Sequence, residues 1–159
     1  MKRLILILFV VSIVNSFAQT KLDYGIQFYH GTWKEACDKA KAENKLIFVD
    51  FYTQWCGPCL NMAENVFILP FIGDFYNTNF VNMKIDAENG EGVELAKRYG
   101  VNSYPTYVFV DPKNGDVVHQ SKSRQEAEQF LATGKSALVP ELRSGYLIEE
   151  FAKGRDDRE

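Results

Sequence analysis

The stretch Leu46-Ile47-Phe48-Val49-Asp50-Phe51-Tyr52-Thr53-Gln54-Trp55-Cys56-Gly57-Pro58-Cys59 decides how this chain is read. Its first seven residues are almost continuously apolar and rich in β-branched and aromatic types, the pattern of a strand buried on both faces of a parallel sheet. Two thiols follow at i and i+3, where the strand gives way to a helical stretch over 56–67. The first sulfur then falls at a helix N-terminus, where unpaired N–H groups and the dipole favour a thiolate. Cys56 is expected to be the attacking thiol. Cys59, one turn on and more shielded, suits the resolving thiol that releases a mixed disulfide. Pro58 fits the first helical turn, where its missing N–H removes no needed hydrogen bond. Two other readings compete, a zinc half-site and a structural bridge. Zinc asks for about four ligands, yet Cys37 lies well upstream on a helix face and His30 and His119 show no ligand spacing. A bridge closing so short a loop constrains the unfolded chain little and makes a poor staple.

Asp50 is the second clue. Inside the most apolar strand a carboxylate is disfavoured by propensity and by desolvation. Burial raises its pKa, and a carboxylate reaching under the Cys56–Cys59 turn could take the proton from Cys59 during resolution. The alternative is an edge position with a hydrogen bond to a loop. Lys84, on the neighbouring strand, either tunes that carboxylate or is simply solvated. Tyr104-Pro105-Thr106 places a proline just before a strand, but cis bonds are a small minority of X–Pro bonds, so spacing alone assigns none.

Outward from this centre, strands and helices alternate. Thr32-Trp33-Lys34-Glu35 is a capping box, and Trp33, Ala36, Cys37 and Ala40 recur at helical spacing, which predicts a helix over 33–43. Cys37 on that apolar face reads as packing. Pro70 opens a helix ending near residue 77, a strand covers 80–85, and a helix over 92–99 is closed by Gly100. Residues 106–110 and 117–120 form an antiparallel hairpin around Asp111-Pro112-Lys113-Asn114-Gly115, followed by a helix over 124–131. Asp86-Ala87-Glu88-Asn89-Gly90-Glu91 lacks calcium-ligand spacing and reads as a turn before a helix. The expected fold class is α/β, a mixed central sheet flanked by helices on both faces. After Thr133, Gly134-Lys135-Ser136 reads as a loosening of the chain before further helix marked by Leu138, Leu142, Leu147 and Phe151, with Gly154 as a candidate cap.

The chain has 159 residues, is 46% hydrophobic and carries a net charge of -3, which suits one globular domain and offers no basic field for nucleic acid or anionic membrane. Three cysteines are too few for a disulfide scaffold. Met1-Lys2-Arg3, the apolar run over 4–14 and Ser16-Phe17-Ala18 match the three regions of a secretory signal peptide cleaved after Ala18. The run is too short for a membrane span. The expected organisation is a signal peptide over 1–18, a domain over 19–133 and a C-terminal helical extension or frayed tail over 134–159. Export leads to a periplasmic or secreted protein.

Val49-Asp50-Phe51, Trp55-Cys56-Gly57-Pro58-Cys59, Lys84-Ile85-Asp86, Tyr99-Gly100-Val101, Tyr104-Pro105-Thr106 and Lys113-Asn114-Gly115 together resemble the thioredoxin superfamily, in its order and at its spacings. With the leader, the chain is similar to exported bacterial thioredoxin-like proteins and to the periplasmic C-terminal domain of membrane thiol:disulfide interchange proteins. The resemblance implies a thioredoxin fold with Cys56 as nucleophile, Cys59 as resolving thiol, Asp50 as buried proton acceptor and Pro105 as a cis-proline beside the disulfide. Trp55 and Tyr104 would border the substrate, Gly57 and Pro58 would tune the dithiol, and Lys84 would tune the Asp50 carboxylate. The implied protein is a monomer with no cofactor beyond the redox-active Cys56–Cys59 disulfide and no metal. Its partners would be disulfide-containing exported proteins and a membrane electron donor of the interchange type. Gly57-Pro58 is the thioredoxin dipeptide, and thioredoxin lies at the reducing end, about −270 mV, so a reductase is expected. An oxidase or isomerase on the same fold, and a binding or chaperone module with idle cysteines, are the alternatives.

Three positions depart from the family pattern. Thr53-Gln54 replaces the usual small-plus-acidic pair, Tyr104 stands where an aliphatic residue is common, and the connection from Val117 to Arg124 is short and lacks the groove-lining glycine. His119 and Gln120 in that connection read equally as a solvated strand end or as contacts.

Overall fold

The computed structural model describes residues 24–152, so the signal-peptide expectation over 1–18 and the Gly154 cap lie outside the described residues. Helix α1 (Trp33–Glu43) begins at the expected capping box: the Glu35 amide donates to Thr32 Oγ1 at 3.3 Å, and the Glu35 carboxylate accepts from the Thr32 amide at 2.8 Å. Asn44, at φ 52°, ends it and turns the chain into strand β1 (Leu46–Tyr52). Helix α2 (Gly57–Asn65) follows, with Cys56 as its N-cap rather than its first residue, and α3 (Pro70–Asn79) runs two residues beyond the expected end. Strand β2 (Phe80–Asp86), helix α4 (Gly92–Arg98), and strands β3 (Thr106–Val110) and β4 (Val117–Lys122) complete the sheet.

The sheet order is β2-β1-β3-β4. Strands β1 and β2 are parallel, whereas β1 with β3 and β3 with β4 are antiparallel. The mixed sheet flanked by helices is the thioredoxin fold. Alternation along the strands divides the core. Ile47, Val49, Phe51, Val81, Met83, Ile85, Val108 and Val110 pack with Ala36 and Ala40 of α1 and Leu95 and Ala96 of α4. On the other face Phe48, Phe80, Tyr107 and Phe109 pack with residues of α2 and α3 and with Phe130.

Phe130 belongs to helix α5 (Ala127–Leu138), where the structure corrects the expected helix over 124–131. The helix starts later and passes unbroken through Gly134-Lys135-Ser136. Gly134 is a contact residue rather than a breaker: a Cβ there would stand 2.8 Å from Phe75 and 2.9 Å from the Tyr76 hydroxyl. Removing the side chain lets α5 approach α3, and this outweighs the helix propensity that glycine sacrifices. Beyond it come a 3₁₀ turn (Pro140–Leu142) and helix α6 (Ser144–Ala152).

Two segments tie the sheet's margins. The chain over 24–29 lies beside β2 in a single parallel bridge, Phe28 to Asn82, and the Tyr29 amide donates to the Asn82 carbonyl at 2.7 Å. Asn77 holds the same segment, its Oδ1 accepting from the Gln27 amide at 2.9 Å and its Nδ2 donating to the Gly25 carbonyl at 3.0 Å. At the opposite margin, α6 docks on β4. The Ser144 amide donates to His119 Nδ1 at 3.0 Å, and Ser144 Oγ accepts from the Gln120 amide at 2.9 Å. His119 is thus a buried contact residue, not a solvated strand end. Cys37 is half-buried rather than fully buried, packed against the aliphatic core as the one free cysteine among the described residues. Burial pushes its thiol upward, away from the reactive thiolate.

Candidate redox site

Strand β1 ends and α2 begins within five residues, and this junction carries the two sulfurs. Cys56 and Cys59 form a disulfide, S–S 2.02 Å with Cα atoms 5.3 Å apart. The Cys59 amide donates to Cys56 Sγ at 3.1 Å, so the sulfur of the N-cap residue occupies the place where a capping oxygen usually sits. In the reduced protein the same N–H and the open end of α2 would face a thiolate at Cys56. Cys56 is 6% exposed and Cys59 3%, so the expected difference in shielding is present but small. Pro58 lies in the first turn, where α2 needs no N–H from it.

Both sulfurs border a mainly apolar cleft of about 240 Å³, lined also by Tyr52, Trp55, Leu60 and Lys84. Trp55 is exposed, and its ring meets Tyr104 edge to face with centroids 5.9 Å apart. The pair joins the CxxC turn to the next loop, where the Tyr104–Pro105 bond is cis, as the resemblance implies. Sequence reasoning missed Glu88, whose Oε2 accepts from the Trp55 indole N–H at 2.9 Å. Nothing in its spacing marks Glu88, because the contact joins two loops distant in sequence. It also passed over Asp86 as a local organiser: the carboxylate accepts from the Glu88 amide, Asn89 Nδ2 and Gln54 Nε2, which hold its pKa down.

Asp50 lies deep in β1, fully buried, so the edge alternative does not describe it. It pairs in register with Lys84 on β2, and Lys84 Nζ donates to Asp50 Oδ2 at 2.7 Å. Burial raises the Asp50 pKa, while the Lys84 charge and hydrogen bond oppose that rise without cancelling it. Lys84 is 27% exposed in its side chain, so it is neither solvated nor enclosed. The structure therefore gathers Cys56, Gly57, Cys59, Trp55 and Lys84 around one cleft, with Asp50 behind Lys84 and Tyr104 against Trp55. Among the described residues no cluster of His, Cys, Asp and Glu is arranged to hold a metal ion.

Known proteins share the fold that carries this site. A solved structure from Bacteroides thetaiotaomicron, named as a candidate disulphide-isomerase, is 41% identical and superposes with a TM-score of 0.66 over 73% of this chain and 95% of its own. The C-terminal domain of Neisseria meningitidis DsbD in its oxidised form is 25% identical, with a TM-score of 0.54 over 67% of this chain and 95% of that domain. Thioredoxin-T of Drosophila melanogaster is 38% identical over 113 residues, 70% of this chain and 62% of that protein. The chain spans about three fifths of the length of the first curated relatives it matches. The model of the thioredoxin-like domain matches residues 33–138, from the start of α1 to the end of α5, and the chain belongs to that family.

Proposed function

We propose that the protein is a thiol:disulfide oxidoreductase that reduces disulfides in exported proteins. The observation that carries this reading is the Cys56–Cys59 pair at the N-terminus of α2, with the Cys59 amide aimed at Cys56 Sγ. The Cys56 thiolate attacks one sulfur of a substrate disulfide, and the other substrate sulfur leaves as a thiolate that takes a proton from solvent. Cys59 then attacks Cys56 Sγ, giving its proton to Asp50, and the second substrate thiol departs. The substrate gains two electrons and the protein is left as the Cys56–Cys59 disulfide. A dithiol of a membrane partner of the interchange type would reduce it again and be left as that partner's disulfide. The cis-Pro105 loop offers backbone to an extended substrate in the manner of strand addition, with Trp55 and Tyr104 at its side.

Export rests on the leader pattern over 1–18, and periplasmic or secreted placement follows from it. The likeness to a DsbD domain supports a thiol-redox partner. The likeness to a protein named for disulphide isomerisation favours a second reading, isomerase activity on the same residues.

Cys56→Ser is expected to abolish reduction of a disulfide peptide, and Cys59→Ser to accumulate mixed disulfides. Wild-type turnover in Cys56→Ser would overturn the mechanism. Alkylation of intact cells separates the directions: a mostly reduced pair supports the reductase or isomerase, and a mostly oxidised pair supports an oxidase.

A further inference from the structure

Lys84 meets more than Asp50. Its ammonium lies 4.3 Å from the ring centroid of Tyr52, 5.6 Å from that of Phe67 and 5.9 Å from that of Phe28, all within reach for a cation–π contact. The three rings come from different parts of the chain. Tyr52 closes β1, Phe67 follows α2, and Phe28 is brought in by the segment that Asn77 and Asn82 tie beside β2. Phe28 and Phe67 also meet edge to face at 5.8 Å. The lysine has somewhere else to go. It borders the 240 Å³ cleft on one side and, on the other, an open cleft of about 610 Å³ against the N-terminal segment, so water is available in two directions. Lysine has a long flexible stem whose ordering costs entropy, and its ammonium is strongly hydrated. It nevertheless donates to Asp50 at 2.7 Å.

We propose that Tyr52, Phe67 and Phe28 form an aromatic cage that positions the Lys84 ammonium on Asp50, making the N-terminal segment part of the redox machinery. The rings favour the cation by their negative faces and hold it beside Asp50 although both clefts stay open to it. These are positioning residues, acting on Asp50 through Lys84. The consequence for exchange rests on the reading of Asp50 as proton acceptor: a loosened Lys84 leaves the carboxylate holding its proton to higher pH, and resolution by Cys59 slows at low pH.

The test follows the Asp50 carboxyl by ¹³C NMR in the oxidised full chain, where no turnover is required. Tyr52→Leu and Phe28→Leu are each expected to move the Asp50 midpoint upward by about half a pH unit, Tyr52→Phe to leave it in place, and Lys84→Met to move it further in the same direction. Adding Tyr52→Leu to Lys84→Met is expected to add no shift, since the ring acts through the lysine. An unmoved or lowered midpoint in both leucine variants overturns the cage, as does a tyrosine effect that persists without Lys84. The two variants lie on separate segments, so misfolding of one leaves the other decisive. The acid limb of mixed-disulfide resolution should move with the midpoint. If the wild type performs no exchange, the function fails while the NMR titration still judges the cage.

Discussion

The two faces of the sheet are built from different chemistry. The face under α1 and α4 is largely aliphatic and has no buried charge in its core. The face under α2, α3 and α5 is crowded with rings: Phe48 touches Tyr76, Tyr107, Phe109 and Phe130, and Tyr76 stacks on Phe130 at 4.6 Å with planes 3° apart. Along β1 and β2 the residues that alternate with the aliphatic row are Phe48, Asp50, Phe80, Asn82 and Lys84. The polar residues of these strands thus share the aromatic face. Rings supply large buried area together with polarised faces and edges, so they can seal a core and still receive a cation. Aliphatic side chains can only seal.

The largest expected effect tests that contrast directly. Phe130→Ala removes the ring against which Tyr76 stacks and should cost about 4 kcal/mol in urea unfolding, whereas Ile47→Val on the opposite face should cost about 1 kcal/mol. A loss in Phe130→Ala as small as that of the single methyl deletion would mean that the stacked ring contributes little to the aromatic face.

Asp50→Asn sharpens the contrast through pH. Burial raises the Asp50 pKa in the folded state, so the folded protein binds this proton more readily than the unfolded chain. Its contribution to stability is fully present below the unfolded value, near 3.8, and is lost as pH rises through the higher folded value. Asparagine has no such dependence. Urea midpoints measured from about pH 4 to about pH 8 should therefore show the variant gaining on wild type as pH rises and holding its lead above the folded value. A constant difference would mean that Asp50 does not titrate across this window.

The smallest effect lies at the sheet margin. His119 is held low by burial and then by Arg143, and its Nδ1 accepts the Ser144 amide, so the docked ring is neutral. The docking it supplies is complete above the unfolded value, near 6.5, and is lost as pH falls through the lower folded value. Amide NMR shifts of α6 should change over that acid range. Ser144→Ala, which removes the acceptor for Gln120 N–H, should weaken the contact by about 1 kcal/mol at neutral pH.

Legibility in the sequence follows the range of the interactions. Strand β1 and helix α1 were readable to the residue, because a continuous apolar run and a capping box are local signals. The dithiol was readable from a short motif, the cis-proline before β3 only from the family resemblance, and Asp50 from its conflict with its neighbours. Gly134 was misread because its value lies in the approach of α3, which no local pattern carries. His119, Glu88 and Phe28 acquire their roles from partners brought close by folding: Ser144, Trp55 and Lys84. Composition and periodicity do not register such pairs.

The ties at the two margins have a consequence for the protein at high concentration. A strand joining β2 would have to displace Tyr29 from Asn82, and one joining β4 would have to displace Ser144 from Gln120. Open sheet edges invite neighbouring molecules to stack into ordered aggregates. Among the described residues both edges are partly occupied by the protein's own chain, which leaves fewer free backbone groups for a neighbouring strand to pair with.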